Sequence, residues 1–321
     1  MPNEFSLIFR WFKRAARHPE TLVAVGDDAA VLAPPADQHL VVSVDTLIEG
    51  VHFPLQTSPS AIGHKALAVN LSDMAAMGAA PAWATLAISL PGMDEMWLDE
   101  FSHGFFALMD RYDVDLIGGD TTRGGLSITV QICGFVPPGQ ALRRDGARPG
   151  DVLYVTGTLG DAGLGLAWLQ GRVMLDQEVG ERVRARLDRP TPRVEAGLAL
   201  RSLATAAIDI SDGLLADLQH ILRASGVGAR LEVASLPLSR DVSAQPNAVD
   251  LALFSGDDYE LLFTAAPAHE AELMARLRPL GVPVTRIGRI ETQAGLRLLD
   301  ADGRERSIVD PKGYDHFRGC S

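Results

Sequence analysis

Runs of branched and small apolar residues recur along this chain, and aspartates stand at their ends or inside them. VGDDAA holds Asp27 and Asp28, VVSVDTL holds Asp45, LIGGDTT holds Asp120, and IDISDGL holds Asp209 and Asp212. Strand ends in mixed α/β folds are where ligands collect, and a neighbouring glycine lets backbone approach a phosphate closely. Any one of these aspartates taken alone reads as a turn residue or a helix cap. Asp73 in VNLSDMAAMGA resists that reading, because Leu71, Met74, Ala75 and Met77 surround it in a helical pattern. A carboxylate buried there without a partner would be costly, and a metal ion would supply one. A set of oxygen donors without nearby His or Cys favours magnesium over zinc.

The runs alternate between strand-like and helix-like patterns, which predicts an α/β (mixed α+β) fold. Strands are expected near 22–25, 40–44, 85–90, 115–117 and 127–135, with helices from Ser58 toward Gly78 and over Glu95 to Tyr112. PPGQALRRDGARPGD, from Pro137 to Asp151, packs Pro, Gly and charge between two strand-like runs, so the domain boundary is placed there, giving domains 1–147 and 148–321. The second half predicts strands at 152–156 and near 231, 261–264, 284–290 and 296–299. Helices are expected near 162–170, 191–204 and 214–224. The turn from Gly157 to Gly165 fits no phosphate-loop or dinucleotide template and reads as a strand-to-helix connection. A nucleotide would then have to be gripped largely through carboxylate-held Mg²⁺.

The 321 residues, 47% hydrophobic and 22% charged, suffice for a large core. A formal net charge of -12 argues against a nucleic-acid partner, which requires a basic face. No apolar run approaches the roughly 20 residues of a membrane span. Cys133 and Cys320 lack metal or redox spacing, which suits a reducing, cytoplasmic setting. The N-terminal MPNEFSLIFRWFKRAARH places apolar residues before its charges, the reverse of a signal peptide, and reads as an amphipathic helix.

VGDDAA, VDTLIEGVHF, NLSDMAAMGA, LIGGDTT, DISDGL, SGDDYEL and GYDHF follow one another in this order across nearly the whole chain. Together they resemble the thiamine-monophosphate kinase family, within the wider aminoimidazole ribonucleotide synthetase-like superfamily. The resemblance implies a two-domain fold whose N-terminal domain forms a homodimer interface and binds ATP and Mg²⁺, with a C-terminal α/β domain completing the active-site cleft. It implies several Mg²⁺ ions held by Asp28, Ser43, the Val44 carbonyl, Asp45, Asp73, Asp120 and Asp209, with Asp212 on a further ion. Gly119, Asp120, Arg144 and Ser211 are implied nucleotide contacts, Asp120 and Arg144 being catalytic, and His52, Glu260 and Tyr314 are implied substrate contacts. Val44 replaces a frequent Thr, a change that a backbone ligand survives, and Asp257 stands where relatives often carry Glu.

The implied reaction moves the γ-phosphoryl group of ATP onto the phosphate of thiamine monophosphate, the last step toward thiamine diphosphate. Both reactants are polyanions, so cations must neutralise them and steady an in-line displacement. The acceptor oxygen is already an anion near neutral pH, and no strong general base is required. Glu260 offers charge, and Tyr314 a ring face, to the thiazolium cation. Among superfamily rivals, selenophosphate synthesis would want an N-terminal reactive cysteine, absent before Cys133. The hydrogenase-maturation relative uses a C-terminal cysteine, and Cys320 sits one residue from the end, but GDDYEL and GYDHF favour the kinase. A magnesium-nucleotide sensor that turns nothing over is disfavoured by the complete acidic set.

Overall fold

The structure is a computed structural model that describes residues 4–300 and 302–306. The chain divides into two compact units, one of residues 1–74 with 79–139 and one of residues 75–78 with 140–321.

The first unit opens with a short helix, α1 (Glu4–Leu7), that continues into a π-helical turn over Ile8–Phe12, where an amphipathic helix was expected. Then follow β1 (Thr21–Val23), β2 (Val31–Leu32), β3 (His39–Ile48), α2 (Pro59–Ala76), β4 (Ala80–Leu90), α3 (Glu95–Tyr112), β5 (Asp115–Arg123) and β6 (Ser127–Val136). The main sheet has the order β3-β6-β4-β5, with β4 and β5 parallel and the other pairs antiparallel. Helix α2 is buried on almost every side, with Leu67, Ala68, Leu71, Met74 and Ala75 essentially inaccessible, as its small and apolar composition dictates. It passes α3 at very close range. A β-carbon on Gly63 would lie 2.2 Å from the Phe101 carbonyl oxygen, and one on Gly104 would lie 1.9 Å from that of Ser60, so only glycine fits either position. Asp94 caps α3 by accepting the amides of Met96 and Trp97.

The second unit holds β7 (Val152–Thr156), α4 (Asp161–Leu169), α5 (Gln177–Asp188), α6 (Val194–Leu200), β8 (Ala204–Asp209), α7 (Leu214–Ser225) and β9 (Gly228–Glu232). It continues through α8 (Arg240–Ser243), α9 (Ala248–Phe254), β10 (Leu261–Ala265), α10 (Glu270–Leu277), β11 (Val284–Glu291), β12 (Gly295–Leu299) and β13 (Glu305–Arg306). Its sheet has the order β13-β12-β9-β11-β7-β10-β8, with only β9 and β12 parallel. Leu153, Val155, Ile208, Leu262 and Ile287 of the sheet pack with Leu214, Leu218 and Ile221 of α7 into one core. A single helix was expected over 191–204. It is cut short at Leu200, and the residues from Ala204 enter the sheet as β8, because the Ala-rich run is buried against β10 rather than exposed on a helix face. Among the described residues no helix is long and apolar enough to cross a membrane.

Candidate active site

In the first unit, strand register decides which acidic residues face which way. Ser43 and Asp45 alternate with Val44 on β3, so their side chains share one half-buried face while Val44 points to the opposite, exposed face. Only the backbone of Val44 can therefore join its neighbours' donors. Asp73 reaches β3 from α2, and its Oδ2 accepts the Ser43 hydroxyl at 2.5 Å. This carboxylate is half-buried rather than enclosed, which relieves much of the burial cost expected from its sequence context.

Asp120 lies on β5 opposite Ala87, and Gly119 opposite Leu86. A β-carbon on Gly119 would stand 1.8 Å from the Leu86 carbonyl oxygen, so the strand can pass there only as glycine. Asp28 follows a tight turn in which its amide donates to Asp27 Oδ1 at 2.8 Å. Asp27, Asp28, Gly119 and Asp120 all line one cavity of about 510 Å³. Ile8, Phe9 and Phe12 of the N-terminal turn form an apolar wall of the same cavity. The carboxylates of this lining suit a bound cation, and its aromatic surface suits a flat apolar ligand part. Beyond β3, His52 Nδ1 accepts the Ile48 amide at 2.9 Å, which leaves Nε2 to carry the proton of the neutral ring. The buried Lys65 ammonium donates to the His52 carbonyl at 3.2 Å and holds this loop from below.

In the second unit, β8 delivers the buried Asp209 to the mouth of the loop Ile210–Gly213. That loop is laced to residues 256–260: Ile210 N donates to Glu260 O, Tyr259 N to Ile210 O and Asp257 N to Ser211 O, at 2.8–2.9 Å. The lacing holds Asp257 and Tyr259 at φ of 66° and 49°, a left-handed conformation costing about 1–3 kcal/mol for a non-glycine residue. Asp258 between them is buried, and both its oxygens accept the Gly160 amide. Burial, before any other cause, raises its carboxyl well above the usual range despite that bond. Asp217 in α7 is buried as well. Desolvation and then the charges of Asp209 and Asp212 push it up to about 8. His220, on the same helix, is lowered by burial and then by Arg144 and Arg223, so Arg144 and Asp212 both lie within electrostatic reach of its ring.

Glu260 has no exposed side-chain surface. Arg193 donates to both of its oxygens at 2.6 and 2.5 Å, Arg186 to Oε1 at 3.0 Å, and the Thr156 hydroxyl to Oε2 at 2.7 Å. Gly157 turns beside it at φ 60°, where a β-carbon would overlap the carboxylate. A ligand approaching this point meets the guanidinium of Arg186, 30% exposed, before it meets Glu260.

Residues 26–136 match the family model described as AIR synthase related protein, N-terminal domain, and residues 148–300 match its C-terminal domain. The thiamine-monophosphate kinase of Escherichia coli strain K12 is 50% identical over 98% of both chains. The chain belongs to the thiamine-monophosphate kinase family. Its relative in Bacillus subtilis strain 168 is 34% identical, across 98% of this chain and all of that one. A crystal structure of thiamine-monophosphate kinase from Stenotrophomonas maltophilia K279a superposes at a TM-score of 0.83 with 51% identity, covering 90% of this chain and 93% of that one. A structure described as AaThiL complexed with AMPPCP and TMP does so at 0.78 with 34% identity, covering 92% of each. Escherichia coli HypE, a hydrogenase maturation protein, shares the fold at 0.81 with 22% identity.

For this thiamine-monophosphate kinase family member, the structure brings Asp28, Gly119 and Asp120 around one cavity and joins Ser43 to Asp73. Asp209, Ser211 and Asp212 share one loop. Tyr314 and Cys320 lie outside the described residues. Among the described residues, no three His, Cys, Asp or Glu side chains stand close enough together to hold a metal ion by themselves. The donors nevertheless fit Mg²⁺: they are all oxygens, several are solvent-accessible, and this ion keeps water and completes its shell with substrate phosphates. Sequence reasoning passed over Phe9 and Phe12, Arg186 and Arg193, and Asp217. The aromatic N-terminal segment was visible as an apolar run but not as a wall. An acid in the first turn of α7 was the available signal for Asp217.

Proposed function

We propose that this protein is an ATP-dependent kinase that phosphorylates thiamine monophosphate to thiamine diphosphate, releasing ADP. The observation that carries the reading is the end-to-end similarity to thiamine-monophosphate kinases, at 50% identity over 98% of the chain, together with an acidic, glycine-edged cavity in the first unit. A phosphate oxygen of thiamine monophosphate forms the new bond to the γ-phosphorus of ATP. The bond from that phosphorus to the β,γ-bridging oxygen breaks, and its electron pair leaves with ADP.

Several Mg²⁺ ions belong to this reading. Asp28, Ser43, the Val44 carbonyl, Asp45, Asp73 and Asp120 of the first unit and Asp209 and Asp212 of the second are the residues that would hold them. Bound Mg²⁺ neutralises phosphate charge and favours the in-line geometry. Gly119 offers backbone to the nucleotide without a side chain in the way, Ser211 offers a hydroxyl, and Arg144 an exposed fixed cation. Asp120 and Arg144 are the proposed catalytic residues. His52 Nε2–H is a donor for the acceptor phosphate, its orientation secured through Nδ1. Glu260 contributes by arranging Arg186 and Arg193, and Tyr314 remains the proposed ring partner of the thiazolium.

A homodimer through the first unit is part of the same proposal. β3 is an edge strand, and Leu40, Val42, Val44 and Ile48 on it are 49, 49, 59 and 44% exposed, an apolar row suited to a second copy. A cytoplasmic location follows from the use of ATP. The test incubates the protein with ATP, Mg²⁺ and thiamine monophosphate and follows thiamine diphosphate by chromatography, with unphosphorylated thiamine as a parallel acceptor. Diphosphate formed from the monophosphate alone supports the reading; no product from either acceptor overturns it.

A further inference from the structure

Asp217 sits in the first turn of α7 and is 2% exposed, yet it faces backward out of the helix. Its Oδ2 accepts three successive amides, those of Ser211, Asp212 and Gly213, each at 3.1 Å. Its own amide donates to the Gly213 carbonyl at 3.0 Å. Capping α7 alone would need only the amides at the helix start, whereas Ser211 and Asp212 precede the helix and belong to the loop. Three converging amides of this kind form the cradle in which other loops hold an anionic ligand. Here an internal carboxylate fills the cradle, so the loop's amides are spent on shape rather than on binding.

The opposite edge of the loop is equally committed. The Ser211 carbonyl accepts the Asp257 amide at 2.9 Å, and the Ile210 carbonyl accepts that of Tyr259 at 2.8 Å. A β-carbon on Gly256 would lie 2.2 Å from the Ser211 oxygen, so only glycine lets the two segments approach this closely. With these N–H groups tied on one side and these carbonyls on the other, the loop carries the half-buried side chains of Ser211 and Asp212 on a braced backbone.

We infer that Asp217 is a positioning residue, whose carboxylate sets the backbone of Ser211–Gly213 so that the Ser211 hydroxyl and the Asp212 carboxylate are presented together to the Mg²⁺–nucleotide complex. The inference rests on reading Ser211 and Asp212 as nucleotide and metal contacts. Asp217 touches neither substrate nor metal, and it acts only through the amides it holds.

The test compares full-length wild type with Asp217→Ala and Asp217→Asn. Hydrogen–deuterium exchange of the peptide containing 211–213, without ATP or Mg²⁺, reads the bracing directly. Losing the three hydrogen bonds to the Asp217 side chain should speed exchange about tenfold or more in Asp217→Ala. Asp217→Asn keeps an acceptor oxygen and should fall between, so it preserves the test if the alanine variant does not fold. Kinetics supply the second readout: the KM for MgATP and the Mg²⁺ concentration for half-maximal rate should rise about tenfold in the alanine variant, with kcat changed less and the asparagine variant partly rescued. A role confined to helix stability would lower Tm and leave those constants unchanged, which would overturn the inference. So would unchanged exchange at 211–213. A wild type that makes no thiamine diphosphate would instead remove the kinase reading, while the exchange arm would still decide the bracing.

Discussion

Replacing Glu260 by Gln separates a buried structural acid from a substrate contact. The carboxylate is fully enclosed and accepts two bonds from Arg193, one from Arg186 and one from Thr156. Glutamine has the same length but presents an NH₂ where one of these donors now points, and it carries no charge to offset Arg193, itself only 14% exposed. Breaking a buried, hydrogen-bonded ion pair by removing one partner costs about 3–5 kcal/mol. At roughly 2–4 °C per kcal/mol for a unit of 150–250 residues, Tm should fall by about 6–20 °C. Urea unfolding followed by tryptophan fluorescence, together with a thermal melt, measures the loss, and initial rates well below the new Tm give the KM for thiamine monophosphate. A Tm within 2 °C of wild type with a strongly raised KM would refute the reasoning and return Glu260 to direct substrate contact.

The remaining expectations are as concrete. Asp120→Asn should cut turnover and the response to Mg²⁺ by at least about 100-fold while Tm stays within about 2 °C, since the side chain is exposed and the change is isosteric; near-normal turnover would remove Asp120 from the site. Gly119→Ala should cost about 1–3 kcal/mol or more, because its β-carbon would meet the Leu86 carbonyl, and it should raise the KM for ATP; an unchanged melt and KM would show that the two strands can separate. Asp258, raised in the fold but ordinary when unfolded, stays protonated longer in the native state. Stability should therefore fall as pH climbs from about 4 toward the raised native value. Asp258→Asn should flatten that part of the Tm–pH profile, and parallel profiles for the two proteins would count against it. Cys320→Ser should leave thiamine diphosphate formation unchanged; lost activity would reopen a role for the terminal thiol.

What the sequence determined by itself was the alternation of strands and helices and the position of many of them. The repeating apolar patterns located α3 at Glu95–Tyr112 and β7 at Val152–Thr156, and the Asp and Gly motifs marked the cavity rim at Asp28, Gly119 and Asp120. Those features are local: a helix or strand announces itself in the spacing of a dozen neighbours. Where the pattern was ambiguous it misled, as in the helix expected over 191–204, which spans only Val194–Leu200 before Ala204 enters the sheet against β10. Only the tertiary structure decided which polar groups meet. Ser43 finds Asp73 across 30 residues, Arg193 finds Glu260 across 67, and the backward reach of Asp217 to the amides of 211–213 depends on a turn that no spacing rule reports. Which arginines a carboxylate meets is set by partners brought together by the core, and Glu260, a substrate contact by family resemblance, is enclosed in the fold beside Arg186 and Arg193.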